Sequence, residues 1–186
     1  MSKQRRSPME PKVIKLKICL VGEEGVGKTS LIRRFVTGQF DEVYIRTLGA
    51  VVSKKTVELS EPRGTSTQVD LVILDIIGKR TFMQLFKDAY FSGARGILAV
   101  FDRTRRRTLN ELPEWITGVR ETVGQVPVVV LANKDDMKDR HEARDDEISA
   151  LLNPLDVTVM KTSAKSGENV ERAFMELAKT IVVAPA

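Results

Sequence analysis

Eight consecutive residues, Gly22-Glu23-Glu24-Gly25-Val26-Gly27-Lys28-Thr29, limit what this chain can fold into more than any other stretch. They fit the pattern GxxxxGK[ST] and lie between an apolar run, Lys15 to Val21, and a helical segment, Ser30 to Thr37. A strand before and a helix after are the context this pattern requires. Glycines let the backbone curl until successive N–H groups point into one hollow, and the following helix turns its positive end toward it. Such a hollow binds phosphate. Lys28 supplies a point charge for β- and γ-phosphate oxygens, and the Thr29 hydroxyl can ligate Mg²⁺. By itself the loop implies a nucleoside triphosphate and leaves the base open.

The rest of the chain supplies the scaffold such a loop needs. Short apolar runs recur at Val13 to Val21, Val69 to Leu74, Gly96 to Phe101 and Val126 to Leu131, with the length of strands buried on both faces. Between them lie helical patterns. Leu109, Leu112, Ile116, Val119 and Val123 step by three and four, and Val170, Phe174, Leu177 and Ile181 form a similar stripe. Thr108 followed by Glu111 fits a capping box. Pro113 would remove a hydrogen bond deeper in that helix, so the helix either begins at a cap on Asn110 or is kinked. Strands alternating with helices predict a doubly wound α/β fold. Val51 to Leu59 and Val69 to Leu74, joined by Glu-Pro-Arg-Gly-Thr-Ser-Thr, read as a hairpin that sets one antiparallel strand on the sheet edge.

At 186 residues the chain has room for one domain. Its net charge of +5 is localised: residues 1–17 carry six basic groups and Glu10, and the remaining residues balance at 24 basic and 24 acidic. The high isoelectric point therefore reflects a leader and does not imply nucleic-acid binding. Residues 1–12 are expected to be a disordered basic tail, capable at most of weak electrostatic contact with an anionic membrane. No apolar run is long enough to cross a bilayer and the N-terminus lacks a signal-like stretch, so a cytoplasmic protein is expected. The lone Cys19, inside an apolar run, is expected to be a buried core residue. His141 lies among charges and is expected to be exposed.

Two further segments address the base. Asn133-Lys134-Asp135-Asp136 follows the apolar run ending at Ala132, and Thr162-Ser163-Ala164-Lys165 follows the run Val157 to Met160. Both fall at carboxyl ends of strands, where α/β ligands bind. A carboxylate at Asp136 can accept two N–H bonds from guanine, whereas adenine would leave it unpaired. With the phosphate loop, these motifs resemble the Ras superfamily of small GTPases, most closely the Rab and Ras branches, over residues 13–182. The resemblance implies a P-loop NTPase G domain: a mostly parallel six-stranded sheet with one antiparallel edge strand and helices on both faces, followed by a short tail at 183–186.

The resemblance also implies roles. Glu24, Gly25, Val26, Gly27, Lys28, Thr29 and Ser30 would surround the phosphates of GTP or GDP. Asp136 would read guanine, with Asn133 and Lys134 bracing the base and the phosphate loop. Ser163, Ala164 and Lys165 would complete the base pocket, and Phe40 would cover the ring. Mg²⁺ would be held by Thr29, by Thr47 in the GTP state, and by Asp75 through water. Gly78 would donate its N–H to the γ-phosphate. Catalysis would rest on Lys28, Thr47, Gly78 and Lys79. Segments 40–49 and 76–92 would be switches read by effector and regulatory proteins.

Several residues depart from the family pattern. Asp75-Ile76-Ile77-Gly78-Lys79 has lysine where the family has the glutamine that orients water, and lysine has no acceptor. Slow hydrolysis is therefore expected, with a non-hydrolysing GTP-binding scaffold as the alternative. Glu24 stands near the γ-phosphate edge, where it could pair with Lys79 or point into water, and Arg46 replaces the usual proline. Ile76 and Ile77 replace small residues and suit either a partner surface or packing against a neighbouring helix. Arg103, Arg105, Arg106 and Arg107 read as a solvated helix start rather than an acidic-partner site. The last five residues contain no cysteine, so no prenyl anchor is expected. A P-loop ATPase or kinase is disfavoured by Asn133-Lys134-Asp135-Asp136.

Overall fold

The computed structural model describes residues 13–41, 49–60 and 66–183. The chain begins with β1 (Val13–Val21), α1 (Lys28–Thr37), β2 (Ala50–Ser60) and β3 (Ser66–Ile76). Helix α2 (Arg80–Phe91) leads to β4 (Gly96–Asp102), then α3 (Arg106–Asn110), α4 (Leu112–Val123) and β5 (Val128–Asn133). The chain closes with α5 (Asp145–Leu152), β6 (Thr158–Lys161) and α6 (Val170–Val183). The six strands form one sheet in the order β2-β3-β1-β4-β5-β6. β2 is antiparallel to β3 and every other pairing is parallel, as the hairpin and the apolar runs predict.

The central strands β4 and β5 are buried along their whole length, because helices cover both faces. On one face, α1 and α6 pack on Leu16, Ile18 and Leu20, and Phe35 stacks on Phe174 with centroids 4.0 Å apart. On the other, α2, α4 and α5 enclose Trp115, Phe91, Phe101 and Ile148. Cys19 lies in this second core, where burial pushes its thiol up to about 12. β1 is flanked by β3 and β4, so the chain leaves the sheet in both directions from its centre. The crevice at such a switch point is where α/β sheets bind ligands.

The structure corrects several local expectations. β5 starts at Val128 rather than Val126. Pro127 has no N–H for the ladder, although its carbonyl still accepts from Ile97 at 3.0 Å. The 108–123 pattern is two helices that meet at Glu111, with Pro113 in the first turn of α4, where a missing N–H does little harm. Neither a cap on Asn110 nor a kinked single helix describes it. The Thr108–Glu111 capping box is not formed; the Thr108 hydroxyl is buried, donates to the Arg105 carbonyl and accepts the Asp102 N–H. α5 falls where the sequence reading assigned no element. The tails 1–12 and 184–186, hairpin residues 61–65 and switch residues 42–48, including Arg46 and Thr47, lie outside the described residues.

Candidate nucleotide-binding site

The phosphate loop leaves β1 at Gly22 and enters α1 at Lys28. Gly27 sits at φ 104°, and a Cβ there would collide with the side-chain nitrogen of Asn133. That nitrogen instead donates to the Val26 carbonyl at 2.8 Å, which the bare glycine permits. The Lys28 ammonium is buried and donates to the carbonyls of Gly22 and Glu23 at 2.7 and 2.9 Å. Burial lowers its pKa to about 8, against the opposing charges of Asp75, Glu23 and Glu24. A cation desolvated this far, ringed by loop backbone, fits a phosphate group. Ser30, in the first turn of α1, is half-buried beside it.

β3 brings Asp75 to the same point. The Thr29 hydroxyl donates to the buried Asp75 carboxylate at 2.5 Å. A hydroxyl and a carboxylate this close form a pair of hard oxygen donors, the ligand type Mg²⁺ takes, and they stand next to the phosphate loop. Gly78 packs so tightly on the loop that a Cβ would collide with the backbone of Glu23 and Glu24. The Ile77 N–H donates to Gly49 at 3.0 Å, tying the two ends of the antiparallel pair. Lys79 follows, exposed, at the N-cap of α2.

The two base-side loops are joined by Asn133. Its oxygen accepts the Ala164 N–H at 3.2 Å while its nitrogen holds Val26, so one buried side chain sets both against the phosphate loop. Ser163 donates to Asp136 at 2.6 Å, fixing the exposed carboxylate that the sequence assigns to guanine. Lys134 adopts φ 62°, unusual for a non-glycine residue, and reaches the buried Asp102 at 2.7 Å. Lys165 is exposed. Phe40 packs half-buried on the α1/α6 core with the Arg34 guanidinium 5.9 Å from its ring. The contacts of Lys28, Thr29, Asp75, Gly78, Asn133 and Ala164 bring the phosphate loop, the end of β3 and the base-side loops together.

Comparison with protein families matches residues 17–183 to the Ras family. The chain belongs to the Ras family. It is 34% identical over 167 residues to human "Ras-related protein Rab-8B", covering 89% of this chain and 78% of that protein. It is 33% identical over 168 residues to "Ras-related protein Rab-13" of Rattus norvegicus, covering 90% and 80%. "Ras-related protein Rab-8" of Diplobatis ommata is 34% identical over 167 residues, covering 89% and 77%. Ras-family proteins are GTP-binding GTPases that use Mg²⁺ and act through effectors and regulators, and that is the class of this chain.

This Ras-family chain also builds site features that its sequence did not announce. Arg34 donates to the carbonyls of Ala164, at 2.9 Å, and Lys165, clamping the base-side loop from α1. Arg105, Arg106 and Arg107 are exposed at the start of α3, as a solvated helix start requires, but Arg103 is not part of it. Arg103 is buried, pairs with Asp135 and, at 2.7 Å, with Asp145, and donates its N–H to Asn133. Arg105 pairs with Asp102, Arg106 with Glu147 and Arg107 with Glu111. His141 is not exposed either; its imidazole is mostly covered and lies 3.9 Å from Asp135. Ile76 and Ile77 are buried, which settles them as packing rather than partner surface. The spacing of Asp135 from Arg103 is the signal that could have paired them, but no periodicity links a strand end to a loop 32 residues later.

A second unannounced network surrounds Glu23. Its carboxylate accepts from Trp115 Nε1 at 3.2 Å and lies 3.7 Å from Arg80, which also reaches Glu111 and Glu114. Burial, and then the neighbouring Glu111, push the Glu23 carboxyl up. Burial acts on Glu111 in the same direction but is outweighed by Arg107 and by the bond it shares with Glu23, so that carboxyl sits below its ordinary value. The phosphate loop is thereby tied to the first residue of α2 through a half-buried acid.

Proposed function

We propose that this chain is a GTP/GDP switch that hydrolyses GTP slowly and signals through segments 40–49 and 76–92. The observation that carries the reading is the convergence of three things at one end of the sheet. These are a buried ammonium at Lys28, the Thr29–Asp75 oxygen pair, and the Asn133 amide that docks the base-side loops on the phosphate loop.

In this reading Asp136, held by Ser163, accepts the N1–H and exocyclic amine of guanine, and the Ala164 N–H lies close to the guanine oxygen. Lys134 and Lys165 flank the base, and Phe40 covers it from the α1 side. Lys28 and the N–H groups from Glu24 to Ser30 carry the phosphate charge. Thr29, Thr47 and Asp75 would hold Mg²⁺, which would supply positive charge against the negative charge of the phosphates. Gly78 supplies an N–H to the γ-phosphate, and its lack of a side chain lets the second switch approach the loop. In hydrolysis, water attacks the γ-phosphorus in line, the bond to the β–γ bridging oxygen breaks, and the products are GDP and phosphate.

The slow step follows from Lys79. An ammonium donates and cannot accept, so it cannot align water by taking its hydrogen. It can neutralise γ-phosphate charge, which favours the GTP-bound form. The same residue supports a second reading, a GTP-binding scaffold that does not turn over. Exposed Val51, Val52, Leu85 and Phe86 give the switch side an apolar surface for effectors. Residues 13–182 are read as one G domain working in the cytoplasm.

The test is a binding assay. Fluorescent GDP should bind, be displaced by GTP and not by ATP, and lose affinity in Asp136→Ala far more than in Asp139→Ala. Displacement by ATP as effective as by GTP would contradict the assignment.

A further inference from the structure

The phosphate loop of this chain carries two carboxylates, at Glu23 and Glu24, which would repel a polyphosphate. Arg80 lies against the Glu23 carboxylate and Lys28 donates to the Gly22 and Glu23 carbonyls, which leaves the backbone at Glu24 and Gly25 for a third cation to reach. Arg105 reaches that position. Its Nη2 donates to the Glu24 carbonyl at 3.1 Å and lies 3.5 Å from where a Cβ on Gly25 would stand. The guanidinium therefore sits over the middle of the loop.

Its position is set from below. Nε donates at 2.9 Å to Asp102, a fully buried carboxylate at the end of β4. Asp102 also takes Lys134 at 2.7 Å and the Thr104 N–H and hydroxyl at 2.9 and 2.7 Å. Burial works against ionising Asp102, yet the bonds from Lys134 and Thr104 outweigh it and keep the carboxyl below its ordinary range. One buried anion thus holds two cations, Lys134 on the base side and Arg105 on the phosphate side. The Arg105 backbone is fixed as well, its N–H donating to the Asp102 carbonyl at 2.9 Å.

We propose that Arg105 is a phosphate-binding residue of the nucleotide site, a second cation beside Lys28 that retains the polyphosphate of GDP and GTP and takes no part in reading the base. This rests on the guanine-nucleotide reading above. The two bonds that anchor Arg105 leave other N–H donors of its planar fork available, and a guanidinium suits phosphate oxygens in geometry and charge. The side chain is partly exposed, so it can bend toward a ligand without uncovering the core.

The experiment titrates GMP, GDP and GTP into wild type, R105Q and R105K at low and high salt. R105Q should weaken GDP and GTP by about three- to tenfold, the range of a partly screened charge-assisted bond, with the loss growing from GMP to GTP. The difference should shrink at high salt, and R105K, which keeps the charge, should recover most of it. Equal weakening of all three nucleotides, a loss independent of salt, or no loss would overturn the proposal. Wild type that binds no GDP would overturn the underlying reading, and so is distinguishable from a failure of Arg105 alone.

Discussion

The side-chain nitrogen of Asn133 donates to the main-chain carbonyl of Val26 at 2.8 Å, across 107 residues of sequence. The oxygen of the same amide accepts from Ala164. A single buried group therefore couples the phosphate loop to both base-side loops, its amide meeting a donor need and an acceptor need at once. Asn133→Ala leaves buried partners unsatisfied and should lower stability by about 1–3 kcal/mol. It should also speed GDP release more than tenfold. Thermal melts and release of fluorescent GDP, measured together, check both. Loss of stability with unchanged release would contradict the coupling.

Glu23 makes a pH-dependent prediction. Its carboxyl is raised in the folded protein by burial and by Glu111. A raised group contributes stability that is fully present below the unfolded value, near 4.5, and is lost as pH rises through the folded value. Glu23→Gln keeps an oxygen for Trp115 and cannot ionise. The stability of wild type relative to this variant should fall as pH is raised from 4.5 toward neutrality, measured by urea unfolding at a series of pH values. A difference that is flat across that range would contradict the assigned shift.

Trp115 is the sole tryptophan and bonds directly to Glu23 of the phosphate loop, which in turn faces Arg80 at the start of α2. Exchange of GDP for a non-hydrolysable GTP analogue should change its intrinsic fluorescence. Arg80→Ala should reduce that change at least twofold, because the link from the second switch is cut. An identical signal in the variant would show that Trp115 senses nucleotide by another route.

Much of this architecture was legible in the sequence. The loop Gly22 to Thr29, the alternating runs and the two base-side motifs are each local patterns, and local patterns carry their own chemistry: curl, charge, donor and acceptor. The antiparallel hairpin was readable for the same reason. What escaped were pairings between segments distant in sequence. Arg103 looked like one of four surface arginines, yet Asp135 and Asp145 draw it into the interior, and charge alone gives no sign of burial. Pro113 raised a question about the helix around it, but where the break falls depends on Thr108 turning inward to Asp102. α5 is short and opens with three acids, Asp145, Asp146 and Glu147, so its apolar stripe is too brief to register.

Arg103 itself yields a stability prediction. Arg103→Met removes a buried cation from Asp135 and Asp145 and leaves Asp135 uncompensated, which should lower stability by about 3–5 kcal/mol. Arg106→Met, by contrast, breaks a pair whose arginine is largely exposed and should cost no more than about 1 kcal/mol. Chemical denaturation of the two variants separates them. Similar losses in both would contradict the buried placement of Arg103.

The central claim, a switch slowed by Lys79, is tested most directly by single-turnover hydrolysis of bound GTP in wild type and Lys79→Gln. The account predicts slow hydrolysis in wild type and a rate at least tenfold higher in the variant, since glutamine can both accept from and donate to the attacking water. Brisk hydrolysis in wild type, or a Gln variant no faster, would contradict it.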